Sequence, residues 1–183
     1  MLAHLPNALS IARLALVPVT IWLILSGNLL GAFWVFVAAG LTDALDGFIA
    51  KHFNAASEFG AYLDPIADKA LLVSVFVALT AEKELPLWIT LLVVFRDLLI
   101  IGGAVIIHTV TQQLRMEPLA ISKLKTFAQI ALVAWVLSKA ALGIEEPVAF
   151  QALLVITAVT TFMSGVAYVV TWLKRVRHWE GKR

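Results

Sequence analysis

The sequence contains no cysteine, so neither a disulfide framework nor a thiolate-ligated metal site is available to it. It also lacks low-complexity segments and any motif typical of nucleic-acid binding. Met1 to Leu5 carries no lysine or arginine, and Arg13 interrupts the first apolar run, so we expect no secretory signal at the start of the chain. These absences argue against a secreted disulfide-rich protein, a zinc–thiolate protein and a nucleic-acid-binding protein.

Hydrophobic residues, by contrast, are abundant. They make up 61% of the 183 residues, against about 45–50% in a soluble domain, and the mean hydropathy is +0.93. This composition predicts an all-α integral membrane protein, in which residues 1–183 form a single membrane domain without a soluble appendage. A helix of about 20 apolar residues crosses the roughly 30 Å hydrocarbon core. Six transmembrane helices are predicted, at about Leu5–Leu25, Leu29–Phe53, Phe59–Ala81, Leu87–Val110, Leu119–Leu142 and Val148–Leu173.

Basic residues are divided unequally between the two ends of these predicted helices. On the side of the membrane opposite the N-terminus, the predicted loops hold only two basic residues, Lys83 and Lys139, together with four glutamates. The positive-inside rule therefore predicts both termini in the cytoplasm. The net charge of +2 and the sequence pI near 9.0 add little, because these bases flank membrane spans. The side that includes the N-terminus holds Lys51, Arg115, Lys123, Lys125, Lys174, Arg175, Arg177, Lys182 and Arg183.

Four carboxylates lie where the second predicted helix ends and the third begins, both near the cytoplasmic face. A charged side chain in a bilayer is costly enough to need a partner, a metal ion or a polar cavity. Spacings of three and four residues place each pair on one helix face, one turn apart. Carboxylates suit Mg²⁺ or Mn²⁺, and two such cations about 3.5–4 Å apart are the usual clamp for displacement at phosphorus. The predicted ligands for two divalent cations are Asp43, Asp46, Asp64 and Asp68.

Two other interpretations of these acids remain open. In the first, they are structural ion-pair partners of Arg13, Lys51, Lys69 and Arg96. In the second, they line a cation pathway or a proton relay, as acids in transporters do. Neither explains the small residues beside the acids, which allow close approach of helices or of a phosphorylated ligand. Those small residues are Gly47, Ala50, Ala55, Ala56, Gly60 and Ala61.

Acids and small residues together form one pattern, Asp43-x2-Asp46-Gly47-x2-Ala50-Lys51-x8-Gly60-x3-Asp64-x3-Asp68. This pattern resembles the signature of the CDP-alcohol phosphotransferases, and the resemblance extends over nearly the whole chain. The family usually has arginine where this chain has Lys51, and lysine lacks the bidentate fork that arginine offers to phosphate. The opening Pro6-Asn7, Ser10 and Arg13 is typical of the bacterial phosphatidyltransferase branch, which implies the bacterial inner membrane.

In that family an alcohol attacks a CDP-linked donor, usually CDP-diacylglycerol, and CMP is released. The resemblance implies a CDP-alcohol phosphotransferase-like bundle of six transmembrane helices, acting as a homodimer with its site on the cytoplasmic side. It implies that Asp43, Asp46 and Asp64 hold a metal pair, and that Asp68 joins the second metal and acts as general base. The implied donor-binding residues are Gly47, Ala50, Lys51 and Gly60, with His52 as a further candidate for phosphate contact.

Two segments in the later helices, at Arg96–Asp97 and at Ser122–Lys125, resemble segments of two branches of the family. The two branches differ in the alcohol acceptor. One branch uses glycerol 3-phosphate; the other uses phosphatidylglycerol and makes cardiolipin. Asp97 and Ser122 replace the glutamate and glycine typical of the glycerol 3-phosphate branch, and an apolar segment replaces a further arginine. These departures favour phosphatidylglycerol, whereas Lys125 favours glycerol 3-phosphate, which stays the alternative. The predicted acceptor-binding residues are Arg96, Asp97, Ser122, Lys123 and Lys125.

Each of these acceptor residues also has a structural interpretation. Arg96 pairs with Asp97 or with the acidic cluster in that interpretation. Lys123 and Lys125 are then ordinary members of the positive cytoplasmic surface. Both interpretations stay open from the sequence alone.

Overall fold

The computed structural model describes residues 5–52, 58–111, 120–143 and 147–180. Side chains are described for residues 10–42, 66–103, 109, 121–139, 142–143 and 147–173. All regular secondary structure in the described residues is α-helical. The helices are α1 (Leu5–Leu25), α2 (Leu29–His52), α3 (Glu58–Ala81), α4 (Leu87–Thr111), α5 (Ala120–Leu142) and α6 (Pro147–Glu180).

The six predicted helices are confirmed, and five of them begin and end within one residue of the predicted positions. The exception is α6, which continues to Glu180 rather than ending near Leu173. The prediction ended that helix where the apolar residues give way to Lys174 and Arg175. Lysine and arginine are good helix formers, so the helix continues beyond its apolar stretch.

The turn between α1 and α2 uses Gly27 and Asn28 for two different purposes. Gly27 has a φ of 75°, which a glycine adopts without steric cost. The Asn28 N–H bonds to the Leu23 carbonyl at 2.9 Å, and the Gly27 N–H bonds to the Ile24 carbonyl at 3.0 Å, which closes α1. The Asn28 side chain then accepts the Gly31 N–H at 3.0 Å and caps α2. This arrangement occupies the interval between the first two predicted helices.

The described residues divide into two compact units, each with its own core. The first contains α1, α2, α3 and the second half of α5 from Val133. In it α1 packs against both α2 and α3. Its core is apolar, but α1 also buries Ser10, Arg13 and Thr20.

The second unit contains α4, the first half of α5 up to Leu132, and α6. Here α4 packs against α6. The buried stripe of α6 consists of Leu154 and the small polar residues Thr157, Thr161 and Ser164, spaced three or four apart. Small side chains at this spacing let helices approach closely where lipid provides no hydrophobic drive.

Large apolar side chains cover the outside of the helices, as expected for a protein surrounded by lipid. Trp22 is 65% exposed and Trp34 is 62% exposed. Among the described residues, two stretches are long and apolar enough to cross a membrane, residues 121–139 of α5 and 147–173 of α6. The apolar stretches described in α1 and α2 are shorter, at residues 10–25 and 29–42. Membrane crossing by the other four helices stays a prediction.

At Gly103 of α4, the side chain of Trp172 from α6 lies directly against the helix. A Cβ atom added at Gly103 would overlap the six-membered ring of Trp172, whereas one added at the neighbouring Gly102 would meet nothing within 4 Å. Trp172 in turn packs against Tyr168, with ring centroids 6.0 Å apart. Gly103 therefore sets the distance at which α6 packs on α4.

Gly103→Ala is expected to lower the thermal unfolding temperature of the detergent-purified protein. Overpacking of this kind costs about 1–3 kcal/mol. The matched control is Gly102→Ala, which should be neutral or stabilising because alanine is favoured over glycine in helices by up to about 1 kcal/mol. Equal unfolding temperatures for the two variants would contradict the role given to Gly103.

Candidate active site

The four aspartates of the pattern lie on two helices of the first unit. Asp43 and Asp46 belong to the last part of α2, and Asp64 and Asp68 belong to the first part of α3. Their spacings of three and four residues thus fall within continuous helices, as predicted, and correspond to positions one turn apart. Asp68 alone of the four has a described side chain. The predicted donor-binding residues Gly47, Ala50, Lys51 and Gly60, and also His52, lie in helices but outside the described side chains.

Asp68 forms an ion pair with Arg13, which joins α3 to α1. The Nη1 atom of Arg13 donates to Oδ1 of Asp68. Arg13 is 1% exposed, whereas the Asp68 side chain is 43% exposed. A guanidinium taken out of water needs an anionic partner, so this pair fixes where the Asp68 carboxylate lies. The Asp68 side chain nevertheless stays partly exposed.

The donor chemistry of the α2–α3 acids fits a hard divalent cation. All four side chains are carboxylates, the ligand type that Mg²⁺ and Mn²⁺ prefer. Among the residues whose side chains are described, no group of three acids or histidines is close enough to hold a metal ion. The other three predicted ligands lie outside that set, so the predicted metal pair stays a prediction.

A second polar cluster lies inside the second unit and joins four of the five predicted acceptor residues. Arg96 donates from Nη1 to Asp97 Oδ1 at 2.7 Å and from Nη2 to Ser122 Oγ at 3.0 Å. Lys125 Nζ donates to the same Asp97 oxygen at 3.1 Å. Lys123 is exposed and stands apart from these contacts. We call Arg96, Asp97, Ser122 and Lys125 the buried polar centre.

Helix α6 completes the buried polar centre with two residues that the sequence did not single out. Ser164 accepts a hydrogen bond from Arg96 Nη2. The guanidinium carbon of Arg96 lies 5.4 Å from the ring centroid of Tyr168, within cation–π range. Their spacing of four residues is common on any helix, so the sequence carried no specific signal for them.

The buried polar centre brings two buried cations to one carboxylate. Arg96 is 5% exposed and Lys125 is 3% exposed, and these two cations share one carboxylate, that of Asp97. Two nitrogen donors nearby, Arg96 Nε and Gln129 Nε2, are buried and have no hydrogen-bond partner among the described residues. Buried polar groups in native proteins are normally satisfied, so such donors indicate water or a ligand. The centre is therefore suited to an anionic group.

Comparison with known proteins identifies the family. The model of the CDP-alcohol phosphatidyltransferase family matches residues 3–173, which is nearly the whole chain. The chain belongs to the CDP-alcohol phosphatidyltransferase family. The resemblance drawn from the pattern at Asp43–Asp68 is confirmed, and the family is membrane-bound and generally depends on divalent metal ions.

Three relatives with different names are similar to this family member. Rat "Cardiolipin synthase (CMP-forming)" is 34% identical, covering 97% of the chain and 64% of the relative. A chloroplastic rice protein named "CDP-diacylglycerol–glycerol-3-phosphate 3-phosphatidyltransferase 1" is 36% identical, over 92% of the chain and 57% of the relative. A Mycobacterium tuberculosis protein named "Probable phosphatidylglycerophosphate synthase" is 33% identical, over 96% of the chain and 84% of the relative. The chain thus spans about three fifths of the length of the rat and rice proteins.

Asp97→Asn is expected to destabilise the protein strongly, because Arg96 and Lys125 then lose their anionic partner in a buried site. Removal of one member of a buried ion pair costs about 3–5 kcal/mol. Thermal unfolding of the detergent-purified variant measures this loss.

The control for this prediction is a double-mutant cycle. Adding Lys125→Met to Asp97→Asn removes one of the two cations that have lost the Asp97 carboxylate and should recover part of the lost stability. Lys123→Met, at the exposed neighbour, should recover none. Equal effects of the two lysine substitutions would contradict the charge balance described for the buried polar centre.

Proposed function

We propose that this chain transfers a phosphatidyl group from CDP-diacylglycerol to an alcohol, with release of CMP. The observation that carries this proposal is the family match over residues 3–173, together with the pattern Asp43–Asp68 lying on helices α2 and α3. We further propose that residues 1–183 act as one transferase domain. The alternative of a cation transporter has no support from the family match.

The proposed reaction breaks one phosphorus–oxygen bond and makes another. The hydroxyl oxygen of the acceptor attacks the phosphorus that carries the diacylglycerol group. The bond between that phosphorus and the oxygen of CMP breaks, and its electron pair leaves with CMP. The hydroxyl proton passes to the Asp68 carboxylate, which acts as general base. Arg13 orients this carboxylate through the ion pair described above.

Divalent cations would bind at the acids of α2 and α3 in this reaction. Asp43, Asp46, Asp64 and Asp68 would hold two Mg²⁺ or Mn²⁺ ions. Such ions neutralise the diphosphate and the departing CMP. Gly47, Ala50 and Gly60 leave room for the CMP group, and Lys51 supplies positive charge near the phosphates.

We propose phosphatidylglycerol as the acceptor, which makes the product cardiolipin. The departures from the glycerol 3-phosphate pattern at Asp97 and Ser122 support this choice, and the buried polar centre offers two cations to the phosphate that both candidate acceptors carry. The similarity to a cardiolipin synthase agrees with this proposal. Glycerol 3-phosphate is the second candidate, since the rice relative carries that acceptor in its name and shares a comparable identity.

The proposed setting is an integral membrane homodimer with both termini and the active site on the cytoplasmic side. The distribution of basic residues supports the orientation. The opening residues Pro6, Asn7, Ser10 and Arg13 support the bacterial inner membrane. Relatives from rat, rice and Mycobacterium show that the family itself occurs in many kinds of cell.

An acceptor competition decides between the two candidate functions. Purified protein in lipid nanodiscs receives CDP-diacylglycerol, Mg²⁺ or Mn²⁺, and equal amounts of phosphatidylglycerol and glycerol 3-phosphate. We expect CMP release with cardiolipin as the main lipid product by mass spectrometry. Phosphatidylglycerol phosphate as the main product would instead identify glycerol 3-phosphate, the second candidate, as the acceptor. No CMP release with either acceptor would refute both.

Asp68→Asn is expected to reduce CMP release by at least about 10²-fold, the lower range for a general acid–base contribution. The amide cannot take the proton, but it keeps the size of the side chain. Because the amide also weakens the ion pair with the buried Arg13, thermal unfolding of the variant is measured alongside CMP release to establish that it is folded. The control is Glu82→Gln, an exposed carboxylate just after α3, which should leave CMP release unchanged. Undiminished turnover in Asp68→Asn would remove Asp68 from the role of base.

A further inference from the structure

A groove with a volume of about 280 Å³ lies on the second unit, where α4 and α6 meet. Two turns of each helix line it, residues 92–99 of α4 and residues 161–170 of α6. Its walls are almost entirely apolar. Phe95 and Phe162, which flank it, are 65% and 61% exposed. In a membrane protein such a groove faces hydrocarbon.

Gly165 keeps this groove open. A Cβ atom added at Gly165 would have one neighbour within 4 Å, the Cγ of Arg96 at 3.6 Å. The space beyond that position is the groove itself. The side-chain stem of Arg96 therefore lines the groove, while its guanidinium belongs to the buried polar centre. One residue thus connects an apolar groove to a cationic site.

Thr161 gives a second, independent indication of a ligand. It lines the groove and is fully buried, and its hydroxyl has no hydrogen-bond partner among the described residues. It precedes by one turn Ser164, which bonds to Arg96. A hydroxyl group without a partner in an apolar wall is costly. The ester carbonyl of a lipid is the kind of acceptor that such a hydroxyl lacks.

The size and chemistry of the groove favour a single hydrocarbon chain. Pockets for small molecules span about 300–1,000 Å³ and carry several polar groups on their walls. This groove is just below that range and offers almost no polar surface. It therefore suits one acyl chain better than a headgroup or a nucleotide.

We propose that the α4–α6 groove holds one acyl chain of the phospholipid acceptor, whose phosphate meets the buried polar centre. This inference rests on the proposed function, since it concerns the acceptor of the same reaction. The acceptor fits better than the donor, because Arg96, one of the proposed acceptor residues, itself lines the groove. The donor pattern lies on α2 and α3, in the other unit.

The first test fills the groove with the variant Gly165→Leu. The KM for dioleoyl phosphatidylglycerol should rise about tenfold or more, because several buried methylene groups lose their site. The KM for CDP-diacylglycerol and the activity with dihexanoyl phosphatidylglycerol, whose chains are short, should change less than about twofold. The matched control is Gly102→Leu, which adds the same side chain to α4 in open space.

A second variant covers the case in which Gly165→Leu displaces Arg96 or fails to fold. Val166→Trp enters the groove from its rim, where Val166 is 42% exposed. The same selective rise in KM is expected. An unchanged KM for the long-chain acceptor in a folded groove-filling variant overturns the proposal. An equal rise for the short-chain and long-chain acceptors also overturns it.

A binding experiment keeps this inference separate from the proposed function. Phosphatidylglycerol with a photoreactive diazirine in its acyl chain is added to the protein in phosphatidylcholine vesicles, without donor. Peptide mass spectrometry should find cross-links on residues 92–99 and 161–170, reduced in Gly165→Leu but not in Gly102→Leu. Equal labelling of this groove by a diazirine phosphatidylcholine would show ordinary contact with bulk lipid and overturn the proposal. Absence of CMP release with every acceptor refutes the proposed function, whereas the labelling needs no turnover.

Discussion

The free-energy cost of holding charge in hydrocarbon governs the described structure. An isolated cation in such a medium is so unfavourable that it must have an anionic partner. Arg13 on α1 meets Asp68 on α3, and Arg96 and Lys125 meet Asp97 between α4 and α5. The Arg13–Asp68 pair and the Lys125–Asp97 pair each join two different helices, whereas Arg96 and Asp97 are neighbours on α4. The same contacts that neutralise the charges therefore also fix which helices pack together.

The two clusters differ in how completely they are balanced. Arg13 and Asp68 form a pair in which the cation is buried and the carboxylate side chain is partly exposed. In the buried polar centre two cations share one carboxylate, and the hydroxyl groups of Ser122 and Ser164 accept further hydrogen bonds from Arg96. The first arrangement presents a fixed anion, and the second presents a partly satisfied cation. A proton acceptor and an anion-binding site are the corresponding chemical uses.

The helices of this protein could be predicted closely from its sequence, because lipid imposes a simple rule. Apolar stretches of fixed length must be helical, and Gly27, Asn28 and the polar segments mark where they stop. The predicted end of α6 was wrong by several residues. The rule describes which residues lie in hydrocarbon, whereas helix propensity continues through Lys174 and Arg175. The pairing of Arg96 with Asp97 was one of two interpretations, and the structure contains it.

The rest of the site depends on which helices meet, and a single sequence does not contain that information. Ser164 and Tyr168 became part of the buried polar centre only because α6 packs on α4 at Gly103. Their spacing on a helix is common and has no chemical meaning by itself. The partner of Asp68 was equally open, since several cations were available, and packing of α1 against α3 selects Arg13. The predicted roles of Asp43, Asp46 and Asp64 rest on the family pattern and on helix spacing.

Charge alone does not separate the two candidate acceptors. Glycerol 3-phosphate and phosphatidylglycerol both carry a glycerol hydroxyl and a phosphate, so the buried polar centre can bind what they share. They differ in hydrocarbon, which only one of them has. A protein that discriminates between them therefore needs an apolar surface continuous with its phosphate site. Arg96 provides that continuity, because its stem lines the α4–α6 groove and its head lies among Asp97, Ser122 and Ser164. In the proposed arrangement, residues without any polar group, above all Gly165, would therefore distinguish a lipid acceptor from a soluble one.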